Sequence, residues 1–340
     1  MGSTLQGIDL DVEDDYLGHE NCVDLLVRSR PELIQSIHES YLEVGCDAVE
    51  TNTFGANRLV LHEFDASLAE WTVDLNREAA EVARAACDAH ATAASPRFVF
   101  GSMGPGTRLI SLGHVDWDCM LHSYADQARG LLAGGVDAFL IETAQDLLQV
   151  KCAINACLLA LEEAGRSPYE KPICVNLTIE AAGTMLLGTD IAAAVAALRS
   201  FPIAGLGLNC ATGPREMLPH IEYLCRHWDR WVSCIPNAGL PVLVEGRTEF
   251  PLGAEPLGET VADLVSRLGV DLIGGCCGTG PAHIAKLAQI AAQTPRATRA
   301  VVPQASSCAS LYTAMPYRQE QSFFIVGERM NASGRRRFKR

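Results

Sequence analysis

Apolar positions along the chain alternate between two patterns. Leu33, Ile34, Ile37, Tyr41 and Val44 recur at helical spacing, and Gly45 ends that helix. The stretch 46–53 that follows reads as a strand. The alternation then continues, with helices expected over 68–90, 117–133, 146–163, 190–198, 216–227, 260–268 and 281–292. Between them short apolar runs predict strands at 98–101, 136–141, 172–177, 204–208, 231–235 and 271–273. Pro281 suits the first turn of the last helix. A weak internal repeat punctuates the series. Gly45-Cys46-Asp47, Gly135-Val136-Asp137 and Gly269-Val270-Asp271 each lie between a helix and a strand, where glycine supplies a left-handed helix end.

Repeated strand–helix units imply parallel strands with helical crossovers, and the number of units points to a (β/α)8 barrel of the TIM type. The pattern yields seven strands, none of them before the first helix. A closed barrel of this class has eight, so the barrel is expected to lack its first strand. Met1-Gly2-Ser3-Thr4-Leu5-Gln6 reads as the loop that would follow that strand. The character changes near Ala297. Val302-Pro303-Gln304-Ala305-Ser306-Ser307 reads as linker, and Phe323-Phe324-Ile325-Val326-Gly327 as an isolated strand before a basic end. The expected division is a barrel domain over 1–297 and, over 298–340, a linker with the first strand of a further domain.

Composition narrows the function classes. The chain has 340 residues, 48% hydrophobic and 20% charged, with a formal net charge of −14. An acidic chain of this kind lacks the basic footprint that nucleic-acid binding needs. No apolar run reaches the roughly 18 residues of a membrane-spanning helix. The N-terminal residues lack the basic and apolar regions of a signal peptide. Thirteen cysteines in a chain without an export signal read as cytoplasmic thiols, buried or on a metal. Cys46, Cys87, Cys152, Cys157 and Cys174 lie in apolar periodic segments and are assigned to the core.

In parallel barrels the chemistry sits at the C-terminal strand ends. Here those ends read Glu50-Thr51-Asn52-Thr53, Glu142-Thr143, Asn176-Leu177-Thr178, Asn209-Cys210, Pro236-Asn237 and Cys276-Cys277. Any one polar end marks no more than a strand meeting a loop. The set, with three cysteines at two ends, marks a site. Gly274-Gly275-Cys276-Cys277-Gly278-Thr279-Gly280 is its sharpest feature. Neighbouring strand residues point to opposite faces, so tandem cysteines share a metal only where the backbone bends, which the glycines permit. Two core cysteines or a vicinal disulfide are the other readings of that segment. Cys210, 66 residues before Cys276 and also at a strand end, favours the metal. Three thiolates around a tetrahedral ion fit zinc with its fourth position open. His283, His220 and His227 lie on helices and are left out of the ligand set.

Glu50-Thr51-Asn52-Thr53-Phe54, Gly104-Pro105, Ile141-Glu142-Thr143, Gly207-Leu208-Asn209-Cys210-Ala211-Thr212-Gly213-Pro214, Pro236-Asn237-Ala238-Gly239-Leu240-Pro241 and Gly274-Gly275-Cys276-Cys277-Gly278-Thr279 resemble the homocysteine-binding domain of cobalamin-dependent methionine synthases. The resemblance spans nearly the whole chain, in order. Betaine- and S-methylmethionine-dependent homocysteine methyltransferases share the cysteine arrangement. Val326-Gly327-Glu328-Arg329-Met330-Asn331 is similar to the start of the folate-binding barrel that follows this domain in methionine synthases. The resemblance implies zinc on Cys210, Cys276 and Cys277, and Glu142 holding the substrate amino group. It also implies Asn237 near the metal, in its open position when substrate is absent. It further implies homocysteine as methyl acceptor, methylcobalamin as donor, and cobalamin- and folate-binding domains as partners. Those relatives begin with a strand ending in an aspartate that helps bind homocysteine, and this chain shows neither. The expected activity is zinc-dependent methyl transfer from methylcobalamin to homocysteine. The alternatives are S-methylmethionine or betaine as donor, or a non-catalytic domain with a structural zinc.

Overall fold

The protein is described by a computed structural model over residues 2–244, 247–309 and 311–320. It opens on one helical turn, α1 (Gly2–Leu5), and after a loop on a 3-10 turn at Val23–Leu25 that runs into α2 (Leu26–Ser29). The alternating body follows as α3 (Pro31–Glu43), β1 (Ala48–Glu50), α4 (Arg58–Phe64), α5 (Thr72–His90), β2 (Phe98–Met103), α6 (Trp117–Ala133), β3 (Ala138–Ala144), α7 (Leu147–Glu163), β4 (Ile173–Leu177), α8 (Ile191–Leu198), β5 (Gly205–Asn209), α9 (Pro214–His227) and β6 (Trp231–Ile235). Then come a hairpin of β7 (Val242–Val244) and β8 (Arg247–Glu249), α10 (Ala254–Asp263), β9 (Leu272–Ile273), α11 (Pro281–Gln293), and a second hairpin of β10 (Ser307–Ala309) and β11 (Ala314–Pro316).

Seven strands form one parallel sheet in the order β1-β2-β3-β4-β5-β6-β9. The sheet curls into a barrel open between β1 and β9, which pair with no further strand among the described residues. The expected seven-stranded barrel without its first strand is therefore the observed one. Central strands β4 and β5 are buried along their whole length, which explains their unbroken apolar runs. Outside the seam, α3 and α11 bring the two ends of the sheet together. Tyr41 Oη donates to the Thr279 carbonyl at 3.2 Å, and Gly45 lies against Ala288. The main core fills the space between the sheet and the helices, with Phe139, Tyr124, Leu131 and Ile154 fully buried.

The repeated Gly-x-Asp turns have a double use. Gly45, Gly135 and Gly269 all adopt positive φ, as a helix end before a strand requires. The aspartates of two repeats then clip adjacent strands. Asp137 Oδ2 accepts from Val99 N at 2.8 Å, and Asp271 Oδ2 accepts from Val232 N at 2.9 Å.

Two local expectations are revised. Met1-Gly2-Ser3-Thr4-Leu5-Gln6 is not simply a loop. Gly2–Leu5 turns helical because Leu5 is buried in a cluster with Leu25, Leu26 and Ile34. The helix expected from Thr260 begins at Ala254, and its last turn, Leu264–Leu268, widens to a π-helix that ends at Gly269. Between β6 and α10 the chain forms the β7/β8 hairpin. The segment read as linker is pinned to the barrel. Val302 N donates to the Arg226 carbonyl at 2.8 Å and Gln304 Nε2 to the Ala192 carbonyl at 3.1 Å, before the β10/β11 hairpin packs on α8. The strand read at 323–327 and the motif at 326–331 lie outside the described residues. Among the described residues no helix is long and apolar enough to cross a membrane.

Candidate metal centre

β5 delivers Asn209 and Cys210 to the barrel mouth. The chain then turns sharply, with Cys210 at φ +61° and Ala211 at φ +57°. Left-handed backbone at two successive non-glycine residues is uncommon and costs about 1–3 kcal/mol per residue, so the surroundings must hold it. Cys210 N donates to the Ile235 carbonyl at 3.2 Å, Thr212 N closes onto the Cys210 carbonyl at 2.7 Å, and Pro214 begins α9 at once.

The tandem cysteines arrive from the other side. β9 ends at Ile273, so Cys276 and Cys277 lie beyond the strand, where alternation of faces no longer applies. Cys276 N donates to the Pro236 carbonyl at 2.8 Å, and the Cys277 carbonyl accepts from Ala238 N at 2.9 Å. Gly278 at φ +77° completes the bend. Both thiols consequently face Cys210. The three sulfurs all lie within 4.8 Å of one another, and Cys210 Sγ is 3.8 Å from Cys277 Sγ. That separation is far beyond a disulfide bond of about 2.05 Å. It matches the spacing of about 3.8 Å that two sulfurs take when each lies 2.3 Å from a tetrahedral zinc. The donor set and its spacing therefore fit zinc.

The cluster polarises its own thiols. Hydrogen bonds from Cys276 and Cys277 bring the Cys210 thiol down to about 3, well below its ordinary value. The same hydrogen bond with Cys210 pushes Cys277 up to about 11 and Cys276 upward as well. The ten other cysteines are free thiols outside this cluster. Cys87, Cys152, Cys157 and Cys174 are buried as expected, and Cys46 is half-buried.

Glu142 stands on β3, facing the cluster across the barrel mouth. It is buried, and Ser102 Oγ donates to its Oε1 at 2.5 Å while Asn209 Nδ2 donates to its Oε2 at 3.1 Å. Burial raises its carboxyl to about 8, and the nearby charge of Glu50 adds to the rise. Among the described residues no lysine or arginine forms an ion pair with it. Asn237 is buried at the end of β6, and its Oδ1 accepts from Cys277 N at 3.1 Å. The asparagine thus sits beside the cluster and holds the backbone of one cysteine. Its side chain also helps lower the Cys210 thiol.

The histidines stay outside. His283 engages both ring nitrogens, with Gly280 N at 3.2 Å and the Leu252 carbonyl at 3.0 Å. His227 Nδ1 meets the Val302 carbonyl at 2.8 Å. The only group of three metal-ligating side chains found among the described residues is Cys210, Cys276 and Cys277. Asn209 and Thr143 stand among the polar strand ends read from the sequence, without a role of their own, and Ser102 is not singled out there. Asn209 was adjacent to Cys210 throughout, but no spacing rule distinguishes its side chain from any other strand end.

Known proteins are similar to the chain in sequence and fold. A family model described as homocysteine S-methyltransferase matches residues 1–291. The chain is 44% identical over 339 residues to methionine synthase of Mycobacterium tuberculosis (strain ATCC 25618 / H37Rv), and 43% identical over 344 to that of Mycobacterium leprae (strain TN). Each match covers 100% of this chain and 28% of the relative, so the chain spans about a quarter of their length. Among solved structures, the homocysteine methyltransferase MmuM from Escherichia coli superposes with a TM-score of 0.64 in its oxidised form, at 20% identity over 84% of this chain and 92% of that one. Its metallated form gives 0.63, at 22% identity over 85% and 93%. At such identity these two structures speak for the fold alone.

Proposed function

The chain belongs to the homocysteine S-methyltransferase family, and on that premise we propose that it binds homocysteine at a zinc site on Cys210, Cys276 and Cys277 and transfers a methyl group to its sulfur, giving methionine. The observation that carries the proposal is the cluster itself: three thiols within 4.8 Å at a barrel mouth, with no histidine, carboxylate or fourth cysteine joining the group among the described residues. A structural zinc site is normally closed by four protein ligands, whereas a catalytic one keeps a position open.

A free alkyl thiol with a pKa near 8.5 is mostly protonated at neutral pH and a poor nucleophile. Zinc held by the three cysteines supplies the missing chemistry, because a thiol bound to it loses its proton. The chain's own residues do the rest. Glu142 offers a buried carboxylate with no lysine or arginine ion pair among the described residues, and a substrate ammonium suits it in charge. Pairing with the ammonium restores the ionised form that burial opposes. Asn237 holds the Cys277 backbone, and through it the position of one sulfur.

The methyl donor proposed is methylcobalamin, supported by 44% identity to a methionine synthase. S-methylmethionine or betaine is the competing donor. The cobalamin- and folate-binding domains are proposed as partners, because the matched relatives extend well beyond the span of this chain. A barrel domain over 1–297 and the opening of a folate-binding domain within 298–340 follow from the same reading. A cytoplasmic setting accords with thirteen cysteines, all of them free thiols.

The test is zinc-edge X-ray absorption with and without homocysteine. The expected result is one zinc per chain with a three-sulfur shell that gains a fourth sulfur on adding homocysteine, and loss of the metal in Cys210→Ala. Unchanged zinc content in that variant would defeat the ligand set. A sulfur shell indifferent to homocysteine would leave a structural zinc. Methylation of homocysteine from S-methylmethionine or betaine but not from methylcobalamin would change the donor.

A further inference from the structure

The carboxylate proposed to hold the ammonium and the sulfurs proposed to hold the metal come from different strands, yet one side chain touches both. Asn209 is the last residue of β5, almost wholly buried, and immediately precedes Cys210. Its Oδ1 accepts from Thr143 N at 2.7 Å. That contact orients the amide, so its NH2 group faces the site. Nδ2 is 2.9 Å from Thr143 Oγ1, 3.1 Å from Glu142 Oε2 and 3.9 Å from Cys276 Sγ. Two hydrogens serve three acceptors, and all three belong to the two halves of the site or to the residue between them. Thr143 is held at φ +52°, a conformation that a β-branched residue rarely adopts and keeps only when its neighbours enforce it.

We propose that Asn209 is a positioning and specificity-determining residue, a neutral strut that fixes the distance between the ammonium-binding carboxylate and the thiol-binding cluster, so that the site selects an amino-acid thiol by chain length. The inference rests on the functional reading above. The chemistry suits an amide. It donates to a carboxylate and to a sulfur, both negative in the working site, without adding a charge that would displace the substrate ammonium from Glu142. An aspartate there would set like charges together and remove the donors. A lysine would neutralise Glu142 from within. With both anchors fixed to one rigid planar group, a substrate must reach from sulfur to ammonium with a set number of carbons. Homocysteine has two methylenes between sulfur and the amino-bearing carbon, and cysteine has one. A rigid site discriminates one methylene by roughly 10–200-fold, and a site whose two anchors move independently loses that discrimination.

The test uses the whole zinc-loaded chain and equilibrium binding of L-homocysteine, L-cysteine and 4-mercaptobutanoate, a thiol without the amino group. Cobalt(II) replacement adds a sulfur-to-metal charge-transfer band as an independent report on the cluster. The wild-type chain is expected to prefer homocysteine over cysteine by at least about tenfold. In Asn209→Ala that ratio is expected to fall to within about threefold, while metal content, the cobalt spectrum and the affinity for 4-mercaptobutanoate stay close to wild type. A merely structural role would move all of these together. Asn209→Ser, smaller but still polar, serves if the alanine protein does not fold. An unchanged homocysteine-to-cysteine ratio in a folded variant overturns the strut. A wild-type chain that binds zinc but no thiol overturns the functional reading, and the strut with it.

Discussion

At Glu142, the proposed ammonium site, burial sets stability against the ionised form that the proposal needs. Its folded carboxyl is raised to about 8 by burial, against an ordinary value near 4.5. The folded chain therefore binds more protons than the unfolded chain between those values, and stability falls as pH rises through that window. Below about 4.5 the penalty vanishes. Glu142→Gln keeps the shape and removes the titration. The variant is expected to melt at a higher temperature than wild type at pH 8, by an amount worth a few kcal/mol. The gain should shrink to nothing near pH 4.5. Homocysteine binding should weaken by at least about tenfold, the scale of one lost charge-assisted contact. Melting curves across pH with a parallel titration check both halves. A variant no more stable than wild type at pH 8 contradicts the burial of an unpaired carboxyl.

Among the elements, α3 pairs a structural duty with a buried histidine. It closes the outer wall beside the seam, through Tyr41 to Thr279. His38 on the same helix is 2% exposed, and its Nε2 has no partner among the described residues. Burial lowers its ring to about 4. The neutral ring is tolerated and the charged one is not. The unfolded chain takes up the proton near pH 6.5, while the folded chain resists it until about 4. Stability is thus fully present above pH 6.5 and is lost as pH falls toward 4, by about 3 kcal/mol from this residue alone. His38→Leu is expected to flatten that part of the stability profile. Urea melts at pH 7 and pH 4.5 measure the difference, and an equal pH slope in both proteins would refute the assignment. Another lesson at this scale comes from β9. It is only two residues long, and that brevity lets both cysteines turn toward Cys210. A longer strand would place Cys276 and Cys277 on opposite faces.

For the molecule as a whole, the open seam governs dynamics. Among the described residues β3, β4 and β5 have neighbours on both sides, whereas β1 and β9 each pair on one side only. Protection against amide exchange tracks the number of buried, bonded neighbours. Hydrogen exchange is expected to be slowest in β3–β5 and fastest in β1 and β9, with the 274–278 loop following β9. Homocysteine and zinc together should slow that loop, because Cys276 and Cys277 become anchored to Cys210. Uniform protection across the seven strands would mean that the seam is closed in solution.

The sequence by itself determined the order of strands and helices, the parallel sheet of seven strands seen among the described residues, and the three cysteines. Each of these is written in local terms: apolar period, glycine at helix ends, and residue type at strand ends. The 117–133 helix and the 231–235 strand were legible to the residue for that reason. Nothing local in 302–307 reveals its hydrogen bonds to α8 and α9. The helical turn at Gly2–Leu5 was missed because Leu5 is stabilised by residues far along the chain. Only the tertiary structure decided how tandem cysteines reach one point, since that depends on where β9 stops and on hydrogen bonds to Pro236 and Ala238. It also decided that Asn209 joins Glu142 to Cys276, with |i−j| of 67 for each pair. Curling the sheet converts residues distant in sequence into neighbours at the mouth, and no period along the chain encodes that convergence.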